Sequence, residues 1–207
     1  MQVDFTGLRL HHETFEDISF SGVSFEEAEL HHCRFIRCDF SSARMPECRT
    51  ESSHFEDCNF NNASLGGSQH RFTSFTNCTF SRAVMFGAVF HHCRLLGSSF
   101  ASAVLSGCTI FGGDWSFVDL QYQDLSNQRL GPIQLVEADL RACNLEEADL
   151  QGANLSRANL SQARLRGANL RQTRVEGTDL RNVDLRGVKI DVPFAVAYAK
   201  ALGAVLE

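Results

Sequence analysis

A large apolar residue recurs at every fifth position of this sequence. From Phe5 to Ile190, thirty-eight residue numbers are divisible by five, and thirty-six of these positions hold Leu, Phe, Met, Ile, Val or Trp. Thr50 and His70 are the two exceptions. The residue two positions earlier is mostly small, as in ADLQGANLSRANLSQARLRGANL. A period of five fits neither the 3.6-residue period of a helix nor the two-residue period of a strand, so the pattern predicts tandem five-residue repeats.

Units such as Ala153-Asn154-Leu155-Ser156-Arg157 resemble the pentapeptide repeat family, and the resemblance runs from residue 3 to residue 190. It implies an all-β fold, the right-handed quadrilateral β-helix, with four five-residue faces and twenty residues in each coil. The large residue and the small residue before it would point inward, and the other three outward. We therefore expect about nine coils over residues 1–190, stabilised by the stacking of each coil on its neighbours.

The eight cysteines all have residue numbers that end in 3 or 8, namely 33, 38, 48, 58, 78, 93, 108 and 143. These are the small inward positions, where Cys acts as a small apolar residue, and no CxxC pair occurs. Buried reduced thiols fit a cytoplasmic protein. The chain shows no long apolar stretch and no signal peptide, so we expect neither a membrane span nor secretion.

Six of the histidines form three pairs, His11-His12, His31-His32 and His91-His92, separated by multiples of twenty residues. They would lie along one corner of the helix, either as ordinary outward polar residues or as a metal-binding column. No carboxylate or third type of ligand recurs beside them, and we expect neither metal nor cofactor. His70 would lie inside, directly above Thr50, as a hydrogen-bonded polar pair in the core.

Folding the chain at twenty residues per coil arranges the acidic residues in three columns. One corner holds Glu26, Glu27, Glu47, Glu146 and Glu147. The opposite corner holds Glu16, Asp17, Glu56, Asp57, Glu137 and Glu176, and a column beside it holds Asp39, Asp119, Asp139 and Asp179. Such columns resemble the charge display of duplex phosphates, although an acidic solvated surface is an equally simple reading.

Charge is distributed unevenly along the chain. The net charge is −6 overall, which argues against direct binding to nucleic acid. Residues 1–60 hold twelve acidic and five basic side chains, whereas residues 151–190 hold three acidic and eight basic ones. This basic block complicates a uniformly acidic rod.

The period stops after Ile190, and residues 191–207 are predicted to form a capping helix. Asp191 is placed near its N-cap and Pro193 in its first turn, with a helical segment from Phe194 to Leu206. Its apolar face, which comprises Phe194, Tyr198, Leu202 and Val205, is predicted to join two copies in a homodimer. Between residues 112 and 134, Gly113, Gln123, Gln128 and Pro132 predict a local distortion of the coils.

Two segments, residues 68–80 and 191–198, resemble the mycobacterial Mfp branch of the Qnr-type fluoroquinolone-resistance proteins. That resemblance implies a cytoplasmic homodimer, joined through its C-terminal ends, that mimics DNA and binds DNA gyrase, with topoisomerase IV as a further candidate partner. The acidic columns would be the gyrase-binding residues. Since the repeat never slips in phase, the chain lacks room for the projecting loops of the Gram-negative relatives.

Two other functions remain open at this point. A structural solenoid that binds a different protein would leave DNA supercoiling unchanged. An isomerase-like or metal-dependent enzyme that uses the histidine column would take up metal stoichiometrically. No nucleophile elbow, P-loop or HExxH motif is present, so the sequence gives no catalytic residue and we expect no enzymatic activity.

Overall fold

The computed structural model describes residues 4–205. As predicted, the chain forms a right-handed quadrilateral β-helix followed by one short C-terminal α-helix. Parallel neighbours pair with a register of twenty residues, as Leu10 with Leu30 and Phe15 with Phe35. The five-residue period therefore becomes four faces per coil.

Two faces carry three-residue strands in the first part of the chain. The strands are β1 Arg9–His11, β2 Thr14–Glu16, β3 Glu29–His31, β4 Arg34–Ile36, β5 Arg49–Glu51, β6 His54–Glu56, β7 Gln69–Arg71, β8 Ser74–Thr76, β9 Val89–His91 and β10 Thr109–Phe111. One face forms a six-stranded parallel sheet in the order β1-β3-β5-β7-β9-β10, and the next forms a four-stranded sheet in the order β2-β4-β6-β8.

The other two faces are joined by single parallel bridges, such as Asp4 with Ser24 and Ser19 with Asp39. Beyond β10, turns and single bridges build all the faces, and the last bridge joins Asn169 to Lys189. The pairing thus keeps one register along the whole rod, and each coil supports the next.

The predicted inward positions form the core. From Phe20 to Leu180, every residue whose number is divisible by five is buried, including the polar exceptions Thr50 and His70. All eight cysteines are buried and unpaired. Burial raises the pKa of the Cys48 thiol to about 12, so this thiol stays protonated and unreactive in the folded protein.

Nearly every corner of the coils is turned by one residue in the left-handed region, with Pro132 and Asn182 as exceptions. Non-glycine residues with positive φ all have numbers that end in 2 or 7, with φ between 48° and 62°. Examples are Asp57 (φ 53°) and Tyr122 (φ 61°). This conformation is costly for L-residues, so the corners depend on the stacked coils to hold them.

The region 112–134 contains two sites of close backbone approach. A Cβ on Gly113 (φ 102°) would lie 2.1 Å from the Cys93 carbonyl oxygen, and one on Gly131 would lie 2.0 Å from the Gln151 carbonyl oxygen. Only glycine fits at either position. Gln123, at an inward position, is buried because its amide donates to the Phe100 carbonyl oxygen at 3.0 Å.

The C-terminal helix, α1, spans Val192–Ala201. Asp191 is its N-cap, as predicted, and accepts a hydrogen bond from the Phe194 N–H at 3.1 Å. The helix is shorter than predicted, because Gly203 (φ 90°) ends it. The Gly203 N–H bonds Lys200 and the Ala204 N–H bonds Ala199, which is the pattern of a Schellman cap. Leu206 lies outside the described residues.

Candidate functional site

The outward surface carries the candidate functional residues, and its charges are largely organised as ion pairs between coils. At the corner that contains Glu16 and Asp17, Arg37 reaches back one coil and bonds both carboxylates, at 2.6 Å and 2.8 Å. The Arg37 hydrogen bond lowers the pKa of Asp17. Further along the same corner, Arg157 pairs with Glu137 at 2.7 Å. This predicted column of carboxylates is therefore interrupted by its own counterions.

Glu56 and Asp57 lie at this corner between the two interruptions and form no ion pair with any described residue. Glu176 accepts a hydrogen bond from Ser156 at 3.0 Å. The signal for the counterions was present in the sequence, since Arg37 follows Asp17, and Arg157 follows Glu137, by twenty residues.

The opposite corner shows the same division. Glu26 pairs with Arg44 at 2.8 Å, and Glu146 pairs with Arg164 at 2.6 Å. The remaining predicted residues of this corner, Glu27, Glu47 and Glu147, form no ion pair within the described chain. In both pairs the Arg follows the Glu by eighteen residues and lies on the adjacent face. Such a pair forms only in certain side-chain conformations, so the twenty-residue spacing alone does not predict it.

The aspartate column has a local structural role. Each of Asp39, Asp119, Asp139 and Asp179 accepts a hydrogen bond from the backbone N–H two residues later, at 3.0–3.2 Å. These Asx-type bonds fix the following corner. Asp139 also pairs with Arg141, and Asp179 with Arg181, both at 2.7 Å. Much of this column is therefore explained by turn formation and local pairing.

The charged residues that form no ion pair are distributed unevenly along the rod. Carboxylates without an ion pair among the described residues include Glu27, Glu47, Glu56 and Asp57 in the N-terminal half. In the basic block, Arg157, Arg164, Arg181 and Arg186 are paired, whereas Arg166, Arg171, Arg174 and Lys189 pair with no described carboxylate. The unpaired charge is therefore acidic at one end and basic towards the other.

The histidine column stacks as the twenty-residue spacing predicts. The rings of His11 and His31 are 4.9 Å apart, and those of His12 and His32 are 5.0 Å apart. A carboxylate does lie beside the column, contrary to the sequence interpretation, because Glu51 follows His31 by twenty residues and approaches its Nδ1 to 3.4 Å. No group of three or more potential ligands that could hold a metal occurs within residues 4–205.

His70 belongs to a closed hydrogen-bonded network in the core, as predicted. Its Nδ1 lies 2.8 Å from the Thr50 hydroxyl, and its Nε2 lies 2.9 Å from the Ser68 hydroxyl. Thr50 in turn bonds Thr73 at 2.8 Å. Burial lowers the pKa of His70 to about 3, so the imidazole is neutral. A neutral, fully bonded imidazole serves packing rather than catalysis.

The residues predicted for a dimer junction divide into two groups. Phe194 is 1% exposed and packs in the core of its own chain, so its assignment to the junction was wrong. It closes the end of the solenoid, and Tyr198 packs partly against the same core. Leu202 and Val205 are exposed, and so is Val192 on the helix itself.

No helix within the described residues is long and apolar enough to cross a membrane.

The same architecture occurs in solved structures of low sequence identity. Two trypsin-treated variants of QnrB1, a plasmid-mediated fluoroquinolone resistance protein, superpose with TM-scores of 0.77 and 0.78 at 23% and 24% identity. The first match covers 99% of this chain and 100% of the other, and the second covers 97% and 98%. HetL, a pentapeptide repeat protein involved in heterocyst differentiation regulation in the cyanobacterium Nostoc, matches with a TM-score of 0.59 and 23% identity, over 89% of this chain and 88% of HetL.

The search of curated proteins found no match. Two family models do match the sequence. The model described as a pentapeptide repeat region matches residues 8–84, and the model of pentapeptide repeats matches residues 133–172 and 163–191. Together they span more than half of the chain, and their repeats coincide with the stacked coils. The chain therefore belongs to the pentapeptide repeat family.

Proposed function

We propose that this chain is a binding protein that engages bacterial DNA gyrase by presenting carboxylates in place of the phosphates of duplex DNA. The unpaired carboxylates of the N-terminal half carry this proposal. Glu27 and Glu47 occupy one corner on successive coils, while Glu56 and Asp57 occupy the opposite corner. Successive coils of such a sheet are separated by roughly 4.8 Å, so the carboxylates form a regular array on a rigid rod.

Ion pairing decides which carboxylates can serve this role. A DNA-binding surface presents Lys and Arg, which gain most from carboxylates that lack a counterion of their own. Glu16 and Asp17 already share Arg37, and Glu137 is held by Arg157. These predicted gyrase-binding residues, with Glu26 and Glu146, therefore contribute less than Glu27, Glu47, Glu56 and Asp57.

The likeness to QnrB1 supports the class of partner, because that protein is described as conferring fluoroquinolone resistance. The proposal includes protection of gyrase from fluoroquinolones or related poisons, and topoisomerase IV is a further candidate partner. It also includes a homodimer joined at the C-terminal ends. Val192, Leu202 and Val205 would supply its exposed apolar contacts, with Tyr198 at the edge.

The alternative is a solenoid that binds another protein. HetL, which is involved in heterocyst differentiation regulation, has a similar fold and supports this alternative. The two functions differ in their effect on DNA supercoiling, since only the first requires gyrase.

A supercoiling titration with purified gyrase, with and without a fluoroquinolone, tests the proposal. We expect the wild-type protein to change the supercoiling rate or the drug sensitivity of gyrase. Neutralising the unpaired set (Glu27→Gln, Glu47→Gln, Glu56→Gln, Asp57→Asn) should reduce that effect by about tenfold or more, because several charge contacts are lost together.

The matched control neutralises four ion-paired carboxylates instead: Glu137→Gln, Glu146→Gln, Asp179→Asn and Asp184→Asn. Both variants change the net charge equally, and Asn retains the turn-forming capacity of Asp. Equal loss in both variants would show that total charge matters, not the unpaired set. No effect of the wild-type protein on gyrase would reject the proposal in favour of the scaffold.

A further inference from the structure

The exposed large apolar side chains of the coils are concentrated in the middle of the rod. Between residues 72 and 122, the described chain exposes Phe72, Val84, Phe86, Val104, Phe111, Phe117 and Tyr122. The other large exposed apolar residues lie at the first coil or at the C-terminal helix and tail. Four of the seven, Val84, Phe86, Val104 and Tyr122, share one face and its two bordering corners.

These four residues replace polar or small ones in their columns. Val84 and Val104 pair as a bridge between successive coils. The same outward column holds Arg44 and Ser64 before them and Asp124 and Asn144 after them. Phe86 is 67% exposed and Tyr122 is 76% exposed, although folding requires neither ring at a corner. A cluster of this kind on an otherwise polar surface marks an interaction site.

The patch has a defined shape. The Phe86 ring lies across the next coil, where its Cε2 is 3.4 Å from the Cβ position of Gly107. Val104 is part of a groove that is lined by residues 101–106 of one coil and by residues of the next coil, which include Asp119, Tyr122 and Asp124. The groove is open to solvent, so it suits an extended segment rather than an enclosed small molecule.

Carboxylates border the apolar centre on both sides. On the N-terminal side the Glu47 carboxylate lies over Gly67, 2.1 Å from where a Cβ would stand. On the C-terminal side Asp124 accepts hydrogen bonds from the Ser126 N–H (3.0 Å) and the Asn144 amide (2.9 Å). These bonds fix the Asp124 carboxylate and lower its pKa.

Asp119 is fixed in the same way, by the Gln121 N–H and the Ser99 hydroxyl, both at 3.2 Å. Glu47, Asp119 and Asp124 form no ion pair with the described residues, whereas Arg82 donates to Asn62 and so extends towards the N-terminal end. The border therefore offers carboxylates that form no direct ion pair, two of them held by hydrogen bonds, and Arg164 is close enough to contribute to the lowered pKa of Asp124.

We infer that Val84, Phe86, Val104 and Tyr122 form a docking site for an extended protein segment that carries aliphatic or aromatic side chains between flanking Lys or Arg residues. The apolar centre would bury the partner's apolar side chains, and the bordering carboxylates would bind its cations. This site does not depend on the identity of gyrase as the partner. If gyrase is the partner, the site adds an apolar anchor to a contact that is otherwise electrostatic.

A synthetic peptide supplies a defined probe. We would titrate acetyl-Lys-Leu-Phe-Leu-Lys-amide into the ¹⁵N-labelled full-length chain and follow amide chemical shifts. The expected result is saturable binding with the largest shifts at residues 84–86, 104–107 and 122–124. The peptide with Glu in place of both Lys should bind at least about tenfold more weakly, because its charges oppose those of the border.

Two double variants separate the patch from general hydrophobicity. Phe86→Ser with Tyr122→Ser should weaken peptide binding at least about tenfold, as expected for loss of buried aromatic anchors. The matched control, Phe72→Ser with Phe117→Ser, removes two exposed rings from other corners and should leave binding unchanged.

Absence of binding by the basic peptide would overturn the inference, as would shifts centred elsewhere or equal affinity for the acidic peptide. Shifts of the patch on dilution of the protein alone would also overturn it, because they would identify a second copy as the occupant. Each result is independent of any effect on supercoiling.

Discussion

The two halves of the rod share one backbone but differ in core and surface. In the N-terminal half, Phe rings stack from coil to coil, with Phe55 lying 4.7 Å from Phe35 and 4.9 Å from Phe75. A second stack of Phe rings packs edge-on against the first, and the ring centroids of Phe60 and Phe55 are 5.4 Å apart. From Leu120 onward the same inward positions hold mainly Leu and Ala, yet the pairing register stays at twenty residues. Periodic placement therefore determines the fold, and the identity of the large residue is secondary.

The surfaces of the halves differ independently of their cores. The N-terminal half leaves most of its carboxylates without an Arg partner. The C-terminal half pairs half of its described carboxylates with Arg, and Arg166, Arg171, Arg174 and Lys189 pair with no described carboxylate. All eight histidines also precede residue 100. Because outward side chains carry little of the folding energy, function can vary along the rod without a change of architecture.

The largest expected loss of stability comes from a substitution at an inward position, a feature that both halves share. Leu155→Asp would bury a carboxylate without a partner and should lower the free energy of unfolding by about 3 kcal/mol or more. Asn182→Asp adds the same charge at an exposed position and should cost less than about 0.5 kcal/mol. Thermal or urea unfolding measures both, and similar stabilities would refute the assignment of inward and outward residues.

A smaller effect should distinguish the two cores. Phe55→Leu removes stacked and edge-on contacts with four neighbouring rings, so we expect a loss of about 1–2 kcal/mol. Leu145→Met conserves volume in the aliphatic core and should cost about 1 kcal/mol or less. Equal losses in urea unfolding would mean that ring stacking adds nothing specific to the N-terminal half.

The smallest effect concerns pH and is confined to the half that contains His70. Because burial lowers its pKa to about 3, the unfolded chain binds a proton below pH 6.5 that the folded chain does not. The stability contributed by neutral His70 is thus present above pH 6.5 and is lost as pH falls towards 3. Relative to His70→Gln, the wild type should lose about 1 kcal/mol more between pH 7 and pH 5.5. Parallel pH profiles would contradict a neutral buried imidazole.

Much of the fold could be predicted from periodicity, because every five-residue repeat places its large residue and the small residue two positions earlier inside. The same rule places the cysteines inside and pairs His70 with Thr50. The site was less predictable, since Arg164 reaches Glu146 only through its side-chain conformation. The sequence also placed Phe194 at the dimer junction, whereas it is buried in its own chain. An apolar helix residue can pack in its own core or against a partner, and the sequence does not distinguish the two. Exposed Phe86 and Tyr122 are visible in the sequence as apolar residues outside the inward phase, but their clustering requires the coil geometry.

The salt dependence of gyrase binding tests the central claim that unpaired carboxylates of the N-terminal half make the contact. The dissociation constant would be measured across a salt series for the wild type, for the variant neutralised at Glu27, Glu47, Glu56 and Asp57, and for the variant neutralised at four paired carboxylates. We predict that binding weakens as salt rises, and that the slope falls markedly only in the variant of the unpaired set. Equal slopes in all three proteins would contradict the account, because the unpaired carboxylates would then be a solvated surface and not a binding site.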